Sequence, residues 1–284
     1  MTFQDPNSLL PTVGDDLSAQ SIDVAYDGVP VVRGADLAFE TGRVTALVGP
    51  NGSGKSSLLR TMARLQKPAA GDLRLRDSDA LSLSIRDFAK RVALLTQGRP
   101  TPGGLTVRDV VDFGRHPHRS RWGRSDAGGT AAIDHALEVT GMTAFAERSV
   151  EHLSGGQLQR VWLASCLAQE TGVVLLDEPT TYLDLRYQVE LLDLIRDLAD
   201  DKGIAVGVVL HDLDQAAAVA DSVVLLDAGR VVATGAPSDV LTSDLLTRVY
   251  GIRIDVDTDP ATGRVRTRAI GRHHTRRERL HTSS

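Results

Sequence analysis

The sequence predicts an α/β fold: a mostly parallel core sheet, preceded by an N-terminal antiparallel β subdomain and interrupted by an inserted α-helical subdomain. Three observations carry that expectation. Short apolar runs (VTALV at 44–48, GVVLL at 172–176, IAVGVVL at 204–210) alternate with helical patterns, the signature of parallel strands with helices on the sheet faces. The segment before them alternates apolar and polar residues at period two, as half-buried antiparallel strands do. From Gly98 to about Thr171 the pattern is mostly helical and splits the alternation in two.

SIDVAY sets Ile22, Val24 and Tyr26 on one face, and ADLAFE sets Leu37 and Phe39 against Asp36 and Glu40. RVTALV leads into GPNGSGKS and then a helical stretch with Leu58, Met62 and Leu65 at one-face spacing. RVALLTQ reads as a strand ending in Gln97. Thr106 and Asp109 form a capping-box-like start for TVRDVVDFGR, a second helix runs through AAIDHALEV, and RHPHRSRWGRSDAGG between them reads as polar loop. Strand GVVLL, helix DLRYQVELLDLIRDLAD, strand IAVGVVL, a helix through QAAAVA and strand SVVLLD complete the alternation. No internal repeat or low-complexity block interrupts it.

Composition excludes several functions. The net charge of −5 argues against a nucleic-acid binder, although residues 264–279 are locally basic and read as a solvated tail in which His273 and His274 are surface residues. The single cysteine, Cys166, has no internal partner for a disulfide and lies in the helical pattern VWLASCLAQE, so it reads as core filling. No apolar run approaches the roughly 20 residues a bilayer requires. The start, MTFQDPNSLLPTVGDD, lacks the basic and apolar regions of a secretory signal, which predicts a cytosolic chain.

Gly49, Gly54, Lys55 and Ser56 match GxxxxGK[ST] between a strand and a helix, where bare backbone N–H groups face a phosphate. Lysine occurs only at Lys55, Lys67, Lys90 and Lys202 in a chain that otherwise takes its positive charge from arginine. A slim ammonium fits between phosphates inside a tight loop, where a planar guanidinium does not. Lys55 is therefore expected at the β and γ phosphates, with the Ser56 hydroxyl on Mg²⁺.

VVLLDEPT places Asp177 and Glu178 at the end of a fully apolar strand, the edge at which open parallel sheets bind ligands. The paired acids suit a metal-holding aspartate and a general-base glutamate; the competing reading is an ordinary strand end with two solvated acids. His211 and Gln97 end two further strand patterns, positions from which they would reach a γ-phosphate, a water or a metal. Tyr26, at another strand end, serves either as a flat partner for adenine or as core packing.

LSGGQLQR at 153–160 begins another helix. Ser154 and Gln157 make a capping box, which leaves Gly155 and Gly156 unexplained, because glycine in a helix costs about 1 kcal/mol relative to alanine. Two glycines there imply close approach of something to the backbone.

These motifs, in this order and with TTYLD after LLDEP, resemble the ATP-binding subunit of ABC transporters over residues 20–250. The resemblance implies a P-loop NTPase (RecA-like) core. It divides the chain into an ATPase domain at 19–251 (core with β subdomain at 19–97 and 166–251, helical subdomain at 98–165), a partly disordered C-terminal extension at 252–284 and a flexible N-terminus at 1–18. It implies that ATP is held by Tyr26, Gly49, Pro50, Asn51, Gly52, Ser53, Gly54, Lys55, Ser56 and Ser57. From a second copy come Ser154, Gly155, Gly156 and Gln157, with Asp184 as the D-loop aspartate. Mg²⁺ falls to Ser56, Gln97 and Asp177, and catalysis to Glu178, His211 and Gln97. Implied partners are a second ATPase subunit, a membrane permease and, indirectly, a substrate-binding protein, with the chain peripheral on the cytoplasmic face of the membrane and no nucleic acid.

FGRHPHRSRWG, TTYLDLRYQVELL and VLTSDLLTRVYGI are similar to segments of the ATPases of iron-siderophore, haem and cobalamin importers, with His116 where that group more often has tyrosine. An ATPase of the iron–sulfur assembly type is the alternative of similar size. A P-loop kinase or GTPase leaves LSGGQ unexplained.

Overall fold

In the computed structural model, residues 16–99, 101–119, 126–181 and 183–271 are described. Strands β1 (Leu17–Tyr26) and β2 (Val29–Phe39) form an antiparallel hairpin. Its turn is Asp27–Gly28, both residues at positive φ (49° and 79°), the Asp-Gly pairing that matches strand twist in a two-residue turn. Leu17 and Ala19 are buried, as are Ile22 and Val24, and the one-residue phase change between the pairs coincides with a register shift.

Strand β3 (Val44–Val48) is buried throughout and feeds helix α1 (Lys55–Met62) through the glycine loop. Strands β4 (Ala70–Leu75) and β5 (Ser78–Asp79) complete a four-stranded antiparallel sheet in the order β2-β1-β4-β5. Helix α2 (Ile85–Ala89) and strand β6 (Val92–Leu95) precede the helical region. That region holds α3 (Val107–Asp112), a 3-10 turn (Phe113–His118), α4 (Gly129–Val139) and α5 (Gly155–Leu167). The chain then returns through β7 (Val173–Asp177), α6 (Leu185–Asp200), β8 (Ala205–Val209), α7 (Leu213–Val219), β9 (Ser222–Asp227) and β10 (Arg230–Gly235). Helices α8 (Pro237–Val240) and α9 (Ser243–Tyr250) and a hairpin of β11 (Ile254–Thr258) and β12 (Val265–Ala269) end the described chain.

The main sheet has the order β10-β9-β3-β8-β7-β6; β10 is antiparallel to β9, and the other neighbours pair in parallel. Its central strands are apolar on both faces because each face meets a core. Val174 and Leu176 join the cluster beneath the helical region, whereas Val173 and Leu175 join the one shared with α1 and the antiparallel sheet. The parallel registers Leu95↔Leu176 and Asp177↔Val209 bring the C-terminal ends of β6, β7 and β8 to one edge.

Several expectations change. Leu65 does not lie on α1: the helix stops at Met62 in a Schellman arrangement, with Arg64 at φ 58° and the amide of Leu65 bonded to the carbonyl of Arg60, which leaves Leu65 exposed. The stretch read as polar loop from Arg115 begins within the 3-10 turn. Arg115 is buried there, and its guanidinium takes both Asp126 oxygens (2.7 and 2.9 Å) and Glu170 (2.5 Å). Strand β1 starts at Leu17, and α5 runs on to Leu167. The C-terminal extension carries the β11–β12 hairpin; residues 1–15, 120–125 and 272–284, with His273 and His274, lie outside the described residues.

Candidate functional site

Strand β3 ends at Val48 because the backbone must turn beside its neighbour β9. A Cβ on Gly49 would sit 2.1 Å from the Leu226 carbonyl oxygen, so only glycine fits. The N-cap of α1 is Gly54, at φ 100° with no side-chain cap, which leaves the first-turn amides of α1 for a ligand. Asn51, Gly52, Gly54, Lys55, Ser56 and Ser57 line a cavity of about 390 Å³ that Val31, Glu178 and His211 complete. Lys55 is buried and its Nζ donates back to the carbonyls of Gly49 and Pro50, at 2.8 and 2.9 Å. Burial pulls its pKa below the ordinary value, while the charges of Glu178 and then Asp177 act in the opposite direction. Ser53 is buried with a hydroxyl that has no protein partner.

Tyr26 ends β1 beside this loop, its hydroxyl 3.5 Å from Ser57 Oγ, and 39% of the residue is exposed. That placement leaves the ring available to a ligand, whereas Ile22 and Val24 on the same strand are fully covered.

Asp177 is buried at the end of β7, with a partner on each carboxylate oxygen. Ser56 donates to Oδ1 at 2.6 Å, and Arg60 donates to Oδ2 at 3.3 Å. Arg60 did not emerge from the sequence motifs. The available signal was its position four residues after Ser56, on the same face of α1.

Glu178 follows with φ 54°, a left-handed conformation that is strained for a residue with a Cβ and recurs where side chains must be aimed. Its Oε1 lies 2.6 Å from His211 Nε2, and its Oε2 accepts from Gln97 Nε2 at 2.8 Å. Three adjacent strands, β6, β7 and β8, thus deliver Gln97, Glu178 and His211 to one point. The carboxylate is held between two side chains and borders the cavity in front of the glycine loop, an arrangement able to orient a water and accept its proton.

Ser154 caps α5 in a reciprocal box: the Gln157 amide donates to Ser154 Oγ (3.3 Å), and the Ser154 amide donates to Gln157 Oε1 (3.0 Å). The two glycines then separate. A Cβ on Gly156 would come within 3.2 Å of the Tyr187 ring, so α6 accounts for that residue from within the chain. A Cβ on Gly155 meets nothing within 4 Å, so only Gly155 keeps backbone open to something outside. None of residues 154–157 lines the cavity in front of α1; Gly155 borders a separate groove of about 420 Å³ with Gln97, Trp162, Glu178 and Thr181. Asp184 caps α6 by accepting from the Tyr187 amide at 3.1 Å, and it too lies outside the phosphate cavity lining.

A hard cation fits one place here. The Ser56 hydroxyl and the Asp177 carboxylate are adjacent oxygen donors beside the loop that would hold phosphates, and Mg²⁺ takes few protein ligands beside phosphates and water. Among the described residues no helix is long and apolar enough to cross a membrane.

The ABC transporter family model matches residues 32–181. The ferric enterobactin transport ATP-binding protein FepC of Escherichia coli (strain K12) is 40% identical over 90% of this chain and 94% of its own length. The iron(3+)-hydroxamate import ATP-binding protein FhuC of Bacillus subtilis (strain 168) is 42% identical over 87% and 92%. A solved inward-facing metal-chelate type ABC transporter has a chain that superposes with a TM-score of 0.79 at 25% identity, covering 91% of this chain and 98% of that one.

Proposed function

This chain belongs to the ABC transporter family of ATP-binding subunits, and from that premise we propose that it hydrolyses ATP to drive import of a ferric siderophore through a separate membrane permease. The observation that carries the chemistry is Glu178, gripped by Gln97 and His211 at the mouth of the phosphate cavity. The cargo class rests on relatives at 40% and 42% identity over nearly their full length, named for ferric enterobactin transport and iron(3+)-hydroxamate import, with haem or cobalamin as the alternative cargo, since a protein named for cobalamin import is 43% identical. The iron–sulfur assembly alternative has no comparable support.

In this reading ATP displaces the internal bonds of Lys55, because phosphate oxygens make charge-assisted bonds that neutral carbonyls do not. The amides of 51–56 and the bare start of α1 receive the phosphates, and Tyr26 stacks on adenine. Ser56 and Asp177, with Gln97 nearby, would hold Mg²⁺, which when bound neutralises charge on the β and γ phosphates. Glu178 takes a proton from the attacking water, whose oxygen bonds to the γ-phosphorus as the bond to the ADP oxygen breaks. His211 and Gln97 keep the glutamate aimed. Ser154, Gly155, Gly156 and Gln157 lie outside their own chain's phosphate cavity, so they serve the site of a second copy, with Asp184 at the same junction. The dimer would sit on the cytoplasmic face of the membrane, docked on the permease and reached indirectly by a substrate-binding protein.

The test is reconstitution with ferric-siderophore permeases in proteoliposomes. ATP turnover is expected to rise when binding protein loaded with ferric siderophore is added, and to stay flat with the unloaded protein. A chain that binds no such permease, or whose turnover ignores the loaded binding protein, overturns the transport reading.

A further inference from the structure

Helix α7 follows His211 directly, through the cap residue Asp212, whose Oδ1 accepts the amides of Asp214 and Gln215 at 2.8 and 3.1 Å. With 7 residues, α7 is too short to hold its own position, so whatever ties its first turn also sets where His211 points. On one side Gln215 Oε1 accepts from Thr180 Oγ1 at 3.0 Å, and its amide nitrogen reaches Gln188 at 3.1 Å on α6. On the other side the tie comes from the end of the chain. Asp214 Oδ1 accepts two donors from β12, the Thr267 amide at 2.7 Å and the Thr267 hydroxyl at 2.9 Å.

The hairpin that carries Thr267 is itself anchored. Thr267 stands opposite Val256 in the β11–β12 register, and the Val256 amide donates to Ser243 Oγ at 2.9 Å. The Ile254 amide donates to Thr247 Oγ1 at 3.0 Å. Both hydroxyls belong to α9. A path of contacts therefore runs from α9 through the hairpin to the first turn of α7, which adjoins His211 on Glu178.

We infer that Asp214 and Thr267 are positioning residues for the hydrolytic site: the C-terminal hairpin, through Thr267, holds the first turn of α7 and thereby the His211 imidazole on Glu178. The inference rests on the ATPase reading above. Neither residue touches nucleotide; both act through His211.

The experiment uses the full chain with Asp214→Ala, Asp214→Asn and Thr267→Val, measuring steady-state ATP turnover, equilibrium ATP binding with its stoichiometry, and the ring ¹⁵N resonances of His211 assigned by their loss in His211→Ala. Asp214→Ala is expected to lower kcat about tenfold, as small misplacement of a catalytic group does, with KM and binding stoichiometry unchanged and the His211 resonances shifted. Asp214→Asn keeps an acceptor oxygen and is expected to restore most of the turnover; Thr267→Val removes one of the two donors and falls between. Wild-type turnover and unshifted His211 resonances in Asp214→Ala overturn the inference. So does a loss of turnover that merely follows a fall in ATP-binding stoichiometry and is not restored by Asp214→Asn, which is the mark of a destabilised fold. If the wild-type chain turned over no ATP, the ATPase reading would fail, and the His211 resonances would still decide whether Thr267 and Asp214 place the ring.

Discussion

Helix α1 starts just after Gly54 and helix α5 starts on Gly155, and they treat the exposed amides of a first turn differently. At α1 the cap residue is Gly54, with no side-chain acceptor, and the cavity in front of it is finished within the chain by Glu178 and His211. At α5 Ser154 and Gln157 already satisfy the turn, and the space in front of Gly155 is open. One helix start faces a cavity and has no side-chain acceptor; the other has an acceptor and borders a separate groove. Under the proposed function the pair forms two halves of one pocket, one completed within the chain and the other supplied by a second copy.

The largest effect expected from breaking the built half is that of Glu178→Gln. Loss of a positioned general base lowers turnover by about 10²–10⁴-fold. Glutamine keeps the shape and part of the hydrogen bonding, so ATP binding should persist and an ATP-held dimer should accumulate on size-exclusion chromatography. An unchanged single-turnover rate would show that Glu178 is not the base.

Breaking the open half should look different. Gly155→Val adds a side chain where the free protein has only space, so thermal stability and ATP binding by the isolated chain should hold, while turnover falls by about tenfold or more because the approaching phosphate site is displaced. The neighbouring Gly156→Val drives a side chain into Tyr187 and should instead cost about 1–3 kcal/mol of stability. Calorimetry and steady-state kinetics on the two variants separate the effects. Equal loss of stability in both would remove the distinction between the glycines.

Much of this was legible in the sequence because the relevant signals are local. The phosphate loop, the apolar strand before Asp177 and the capping boxes at Thr106 and Ser154 each arise within a few residues, and spacing alone places them. What the sequence could not separate was the pair Gly155 and Gly156, since the contact that distinguishes them comes from Tyr187 on α6, about thirty residues away. Arg60 on Asp177 was hidden for the same reason, being a pairing between one helix and a distant strand end. Leu65 misled because apolar periodicity continues past the point where a left-handed Arg64 ends the helix. The C-terminal hairpin was masked by its basic composition: Arg266 and Arg268 read as a solvated tail, yet they pair with Asp259 and Asp255 on the structured hairpin.

The smallest effect concerns the Ser154 cap of α5, which has no counterpart at α1. Ser154→Ala removes an N-cap acceptor from α5 and should cost about 1 kcal/mol of stability, a shift of roughly 2–4 °C in Tm for a chain of this size. That loss alone does not distinguish a helix cap from a phosphate ligand, because both readings predict it. Ser154→Asp does. Aspartate is as good a cap as serine, so stability should return in full if the amides of α5 need only an acceptor. If Ser154 faces the γ-phosphate of a second copy's nucleotide, the same substitution sets a carboxylate against a phosphate, and turnover should stay depressed while the melting temperature recovers. Recovery of both together would reduce LSGGQ to a helix start and leave Gly155 without a function.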